Sequence, residues 1–314
     1  MPDALLGTLA AAAPATTAIL LAAMGGLINR QGGIVNIGLE PLMLVGAFTA
    51  VVVSAQSGNP FLGLLAAVVA GGLLGLLFSW SITRLGANEI VAGLGLNLLV
   101  LGFFGYLLPV AFKIEGTLLP AGLVGLPKVN IPLLGQIPGL GPIVSGHDIV
   151  TYLSWLSVPL VSVFLYRTPL GIQLRATGAN EEAARAAGVA TLRLRDFSTV
   201  VAGAFSGLAG AQLSLGVVTL FNKQMTGGRG FIALAAFYFG DARPAMTALG
   251  AVIFGVFEAA GFRLGSSGIP SQLVQMLPYL VVVISLTLVA VRRDSRVRQR
   301  ARAALASVAT AKVG

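Results

Sequence analysis

The sequence predicts an all-α integral membrane protein, a bundle of eight to ten transmembrane helices in which some helices are broken or re-entrant. Three observations predict it. Of the 314 residues, 56% are hydrophobic and only 10% charged, with a mean hydropathy of +0.91; soluble domains carry roughly a quarter charged residues. Apolar runs of spanning length recur from end to end. The basic residues behind the net charge of +9 are clustered. Arg167, Arg175, Arg185, Arg193 and Arg195 lie in a central polar region, and Arg292, Arg293, Arg296, Arg298, Arg300 and Arg302 in the tail. Clusters flanking apolar spans follow the positive-inside rule, and they leave no distributed basic face for nucleic acid. With no Cys and a single His, His147, the sequence offers no disulfide framework, thiolate metal site or cysteine nucleophile.

A helix needs about 20 mostly apolar residues to cross about 30 Å of hydrocarbon. Residues 5–28 meet that need. They lack a basic leader, and the apolar run is longer than that of a signal peptide, so they are read as a retained first span. Residues 37–56, 60–83 and 90–112 are the next three. A long connection rich in Gly and Pro, 113–147, leads to a span at 148–166. After the polar region 167–196 come spans at 197–221, 244–264 and 273–291, with a shorter apolar run at 231–240. If 167–196 and the tail are both cytoplasmic, four crossings must separate them, so 231–240 has to enter the membrane. The connection 113–147 and the N-terminus then lie outside, unless 29–36 re-enters and moves the N-terminus inside. Residues 1–291 form one transmembrane domain and 292–314 a basic cytoplasmic tail.

Two interruptions stand out. In NRQGGIVNIGLEPLML (29–44), Gly32 and Gly33 break helix, each costing about 1 kcal/mol against Ala. Asn36 and Glu40 follow on one face of the resuming helix. GGRGF (227–231) opens the short apolar run with similar glycines. One interrupted segment in each half suggests a weak two-fold internal repeat with a transport path between the halves. Gly71 with Gly75, and Gly203 with Gly207, are spaced to let helix backbones approach closely.

Polar residues within apolar spans are costly and face a pathway or a partner. For Glu40 two roles are open: a place on a substrate path or gate, or a clamp on the backbone N–H groups freed near Gly32 and Gly33. Asn97 faces substrate or joins two helices. Glu258 is poorly spaced for Arg263 and is expected near the outer surface, in water. Asn36, Asn97, Gln224 and Phe231 suit a path for a neutral polar solute. Ser206, in GAFSG, raises an intramembrane hydrolase, but a serine nucleophile needs a neighbouring base. The sole histidine falls at the edge of another span.

The polar region contains NEEAARAAGV (180–189). Asn180 is a good N-cap, and Glu181 and Glu182 occupy the first turn, where the helix dipole favours anions. Ala183, Ala184, Ala186 and Ala187 are strong helix formers. Arg185 lies among them, and Gly188 is placed to end the helix. The product is a slim stub of about two turns.

Three stretches resemble the permease subunits of bacterial ABC importers in the branched-chain amino acid and simple sugar permease superfamily, above all its nucleoside branch. They are GGIVNIGLEPLMLVGAF (32–48), TPLGIQLRATGANEEAARAAGV (168–189) and GRGFIALAAFYFGDARP (228–244). Pro41 stands where the family pattern has Gly. The likeness covers most of residues 20–290. It implies a type II ABC importer-like bundle in the bacterial cytoplasmic membrane with a cytoplasmic C-terminus, importing nucleosides, or alternatively monosaccharides or branched-chain amino acids. It also implies that the stub is a coupling helix, with Asn180, Glu181, Glu182, Ala183, Arg185 and Gly188 at the groove of an ABC ATPase subunit. The substrate path would involve Asn36, Glu40, Asn97, Gln224 and Phe231. Other implied partners are a second permease subunit, an extracytoplasmic substrate-binding lipoprotein and membrane lipid. None of Lys113, Lys128, Lys223 and Lys312 follows a glycine, so the sequence has no P-loop. ATP and Mg are therefore expected on the partner, with no cofactor and no catalysis on this chain. An ion-coupled secondary transporter is the competing class, and the sparse intramembrane acids weigh against it.

Overall fold

A computed structural model describes residues 2–130 and 141–265. The expected span 273–291 and the basic tail 292–314 lie outside the described residues. Among the described residues, seven helices are long and apolar enough to cross a membrane.

The chain opens with α1 (Pro2–Gln31), α2 (Leu39–Ser57), α3 (Pro60–Thr83) and α4 (Glu89–Phe112). The connection after α4 holds β1 (Thr117–Leu118), β2 (Lys128–Val129), the single turn α5 (Gly141–Val144) and β3 (His147–Asp148). Then follow α6 (Ile149–Arg167), α7 (Pro169–Ala179), α8 (Glu181–Ala186) and α9 (Thr191–Ala211), which passes into a π-helical segment, Gln212–Val217. The last described elements are β4 (Phe221–Asn222), α10 (Arg229–Phe239) and α11 (Pro244–Gly265).

Local chemistry sets the helix starts. Asn59, Asn88, Asp148 and Thr168 each accept a backbone N–H from the first turn of the helix that follows. Pro60 and Pro169 stand at first helical positions, where no N–H is needed. The expected spans at 37–56, 60–83, 90–112 and 148–166 agree with α2, α3, α4 and α6 to within two residues. Two differ more. Helix α1 runs on through 29–31, so 29–36 is no separate crossing, and α9 begins at Thr191 rather than 197. The Thr168 hydroxyl caps α7 and Pro169 opens it, so the polar region holds helix ahead of the stub as well.

The bundle has two distinct ends. At the stub end, Asp196 of α9 accepts hydrogen bonds from Ser79 (2.7 Å) and Thr83 (3.0 Å) of α3 and pairs with Arg84 (2.8 Å). At the opposite end, β1 pairs with β4 and β2 with β3, and Ser54 Oγ donates to Val124 O at 2.7 Å. Thr17 of α1 reaches Thr151 in the first turn of α6 (3.3 Å), while α1 finishes beside α7. Helix α1 therefore starts at the end that carries the 113–147 connection.

Helix α1 is the axis: 83% of its apolar window is buried, against 22% for α4, an outer wall with Leu98, Leu99 and Tyr106 exposed. The spaced glycines work as expected. A Cβ on Gly71 would overlap Gly203 O, one on Gly75 would lie 2.6 Å from Thr199 O, and one on Gly207 would overlap Ala67 O. Helices α3 and α9 thus cross at backbone contact, where dispersion replaces the absent hydrophobic drive.

Candidate functional site

Helix α1 ends against α9, where Asn29 Nδ2 donates to Ser198 Oγ (3.2 Å) and Thr199 Oγ1 (2.9 Å). Gly33, at φ +84°, turns the chain out of the helix. Residues 32–38 are then non-helical until α2 begins. Backbone without a helix needs partners at membrane depth. Val35 N finds Glu89 Oε2 at 2.9 Å, and Gly38 N finds Asn36 Oδ1 at 2.9 Å. Asn97 Nδ2 reaches Ile37 O and its own Gly93 O, both at 3.4 Å. Asn97 thereby links α4 to the break. Asn36 is fully buried, and its Nδ2 has no hydrogen-bond partner among the described residues.

The second break precedes α10. The chain turns through 223–228, and Gly228, at φ +80°, precedes the first helical residue. No side chain of that loop caps α10. The cap comes from the other half of the chain: Glu40 Oε1 accepts from Gly228 N (2.7 Å) and Oε2 from Gly230 N (2.6 Å). The carboxylate sits where the helix dipole favours an anion. A Cβ on Gly230 would come 2.5 Å from Glu40 N, so only glycine admits this approach. Glu40 is a clamp, but on Gly228 and Gly230 rather than on Gly32 and Gly33. The nearer glycines were the wrong target because Gly32 N and Gly33 N already bond back to the end of α1.

Arg229 completes this junction. Its Nε donates to Glu258 Oε1 at 2.9 Å, with a second bond from Nη2 to the same oxygen. Its Nη1 donates to Met225 O (2.8 Å) and Thr226 O (3.2 Å). Glu258 is buried, at 8% exposure, so the expectation of a wet residue near the outer surface is overturned. Spacing along α11 could not reveal a partner on another helix, 29 residues upstream. Gln224 and Phe231 are both exposed and flank the start of α10. Asn36 and Asn97 thus gather at the first break, Gln224 and Phe231 at the second, and Glu40 reaches from α2 to the second.

At the stub end, Asn180 Oδ1 accepts from Ala183 N at 3.0 Å and Gly188, at φ +82°, follows the helix. Helix α8 is the stub. Glu182, Ala183 and Arg185 are exposed, while Glu181 is engaged by Arg185 (2.6 Å) and by Arg195 (2.8 Å) of α9. Helix α7 forms a platform beneath the stub, its Arg175 stacked 4.7 Å from the Tyr166 ring. The Thr168-Pro169 pair was the signal for it. Ser206 is fully buried in α9 and its hydroxyl has no partner among the described residues, while His147 stands in β3.

Residues 8–286 match the family model for the permease component of branched-chain amino acid transport systems. The chain is 33% identical to a guanosine ABC transporter permease of Bacillus subtilis, over 89% of each chain. It is 31% identical to a nucleoside ABC transporter permease of Lactococcus lactis, over 87% of this chain and 89% of that one. It is 32% identical to a Haloferax volcanii ABC transporter permease provisionally named for glucose, over 92% and 93% of the two chains. No solved structure matches the chain significantly. A match over most of the length, on a bundle of apolar spanning helices, identifies a multi-pass membrane protein: the chain belongs to the family of ABC transport permeases described as branched-chain amino acid transport system permease components.

Proposed function

We propose that this chain is the conduit of an ATP-driven importer of nucleosides, with its stub on the cytoplasmic side. The observation that carries the reading is α8: a short, capped helix with Glu182 and Arg185 exposed, held out at one end of a chain that has no P-loop. Such a chain needs an ATPase subunit to drive it, and the stub offers that subunit a slim surface. ATP and Mg belong to the ATPase. The arginines around the stub favour the cytoplasmic side. A substrate-binding lipoprotein outside and a second permease subunit complete the assembly.

The breaks are the proposed path. Asn36, Asn97 and Gln224 offer neutral amide groups and Phe231 an exposed ring, chemistry that suits an uncharged, hydrogen-bonding solute with a flat base. Glu40 is spent on capping α10 and shapes the path rather than binding solute. Nucleoside is preferred because two of the relatives are named for nucleosides. A monosaccharide is the second reading, favoured by the relative named for glucose.

The test is uptake of a radiolabelled nucleoside and sugar panel by the reconstituted complex. ATP-dependent nucleoside uptake is expected, whereas gradient-driven uptake by this chain alone would return the ion-coupled class. Glu182→Lys is expected to weaken co-purification of the ATPase about tenfold, a loss of roughly 1.4 kcal/mol. Unaltered co-purification would count against the stub.

A further inference from the structure

Residues 31–40 touch α10 at both of its ends. Gln31 Nε2 donates to Ala242 O at 2.8 Å, just beyond the end of α10. Glu40 accepts from Gly228 and Gly230 at its beginning. Between these points Arg30 lies 5.8 Å from the Tyr238 ring. A Cβ on Gly26 would lie 2.6 Å from the Phe237 ring and 3.0 Å from Leu39 Cδ1. Residues 31–40 are thus a strap tied to both ends of a half-length helix that rests on the end of α1 between them, and the strap supplies the cap that the helix's own loop does not.

The strap's upstream end is fixed, because Asn29 rivets α1 to Ser198 and Thr199. Its flank meets α7. Leu174 and Gly178, one turn apart, face Gly32 and Gly33: a Cβ on Gly32 would lie 2.9 Å from Leu174 Cδ1. A Cβ on Gly178 would overlap Gln31 O and lie 2.9 Å from Gly33 N. Helices α7 and α8 form one elbow, joined through Asn180, whose N–H bonds Ala176 O while its side chain caps α8. The elbow thus meets the strap at backbone contact, at Gly178 against Gln31 and Gly33, while Glu181 ties α8 to Arg195 of α9.

We propose that α10 and the strap 31–40 move as one unit, and that Gly178 is the positioning residue through which the α7–α8 elbow drives it. This assignment rests on the reading of α8 as the ATPase-docking stub. It adds where the push is delivered and which half-helix receives it. A bulky side chain at 178 would wedge elbow and strap apart, while the exposed face of α8 stays as it is.

The full chain is reconstituted with its ATPase in liposomes, and three quantities are read for each variant: ATPase co-purification, ATP hydrolysis and solute uptake. Gly178→Val is expected to keep co-purification and hydrolysis within about twofold while uptake falls at least about tenfold, the size of a typical inter-site coupling. Gln31→Ala, which frees only the trailing end of α10, is expected to lower uptake less. The double variant should be no worse than Gly178→Val, because both changes act on one unit. Wild-type uptake in Gly178→Val, or additive losses in the double variant, overturns the route alone. A loss of uptake that merely follows a loss of co-purification also overturns it, since Gly178 would then only present the stub. Undiminished co-purification in Glu182→Lys overturns the docking reading and the route with it. If Gly178→Val does not assemble, Gln31→Ala decides: uptake lost with hydrolysis kept supports the unit, and unaltered uptake overturns it.

Discussion

The break at 32–38 and the break at 223–228 meet the same requirement with different chemistry. The first is held by one carboxylate, Glu89 of α4 on Val35, and by two amides, Asn97 of α4 on Ile37 and Asn36 of the break itself on Gly38. The second is held by full charges: Glu40 caps α10, and Arg229 both ties down Met225 and Thr226 and pairs with Glu258. The difference follows from what each break precedes. Helix α2 continues for 19 residues and α3 and α9 pack along it. Helix α10 has only 11 residues, so its unsatisfied first turn is a larger share of the whole. A short helix starting within the bundle needs the stronger, charge-assisted cap.

The largest effect should fall on the second break, where the ion pair is buried. Arg229→Met leaves Glu258 buried without its cation, and is expected to cost about 3–5 kcal/mol. Thermal unfolding in detergent would show it, and Arg229→Met with Glu258→Leu should recover most of the loss. A silent single variant would break the comparison at its root. Glu40→Ala strips two N–H groups of their acceptor, for an expected loss of about 1–3 kcal/mol. Glu40→Gln, which keeps one acceptor oxygen, should lose less, and equal losses would show that volume rather than hydrogen bonding matters. At the first break, Glu89→Gln keeps one acceptor oxygen and should cost about 1 kcal/mol or less by the same measurement. Asn97→Leu, with two long bonds of 3.4 Å, should cost about 0.6 kcal/mol, the mean for hydrogen bonds between membrane helices. The reverse order, with Asn97 outweighing Arg229, would mean that the first break is the stiffer of the two.

Much of the bundle was legible in the residues. Seven of the eight spans read from apolar run length fall on described helices, because crossing hydrocarbon is a local, additive demand on some twenty consecutive side chains. The stub was legible because Asn180, the alanines and Gly188 act within their own few residues. The glycine spacings marked α3 and α9 each as a place of close approach, because a small side chain matters only where another backbone arrives; that the two helices meet each other came from the packing. Glu40 was half legible: its cost marked it as partnered, but its partners lie 188 and 190 residues away. The start of α9 at Thr191 was missed because Arg193, Arg195 and Asp196 lower the local hydropathy without interrupting the helix.

By itself, then, the sequence determined which segments are long and apolar enough to span a membrane, where the regular helix fails, and that a polar stub stands apart from them. The tertiary structure decided which break each polar group serves: Glu40 for α10, Glu89 for Val35, Glu258 for Arg229. The reason is physical. Insertion is governed by hydropathy summed along the chain. A buried hydrogen bond or ion pair is governed by the position of one atom to within a few tenths of an ångström, which only the packing of distant helices fixes.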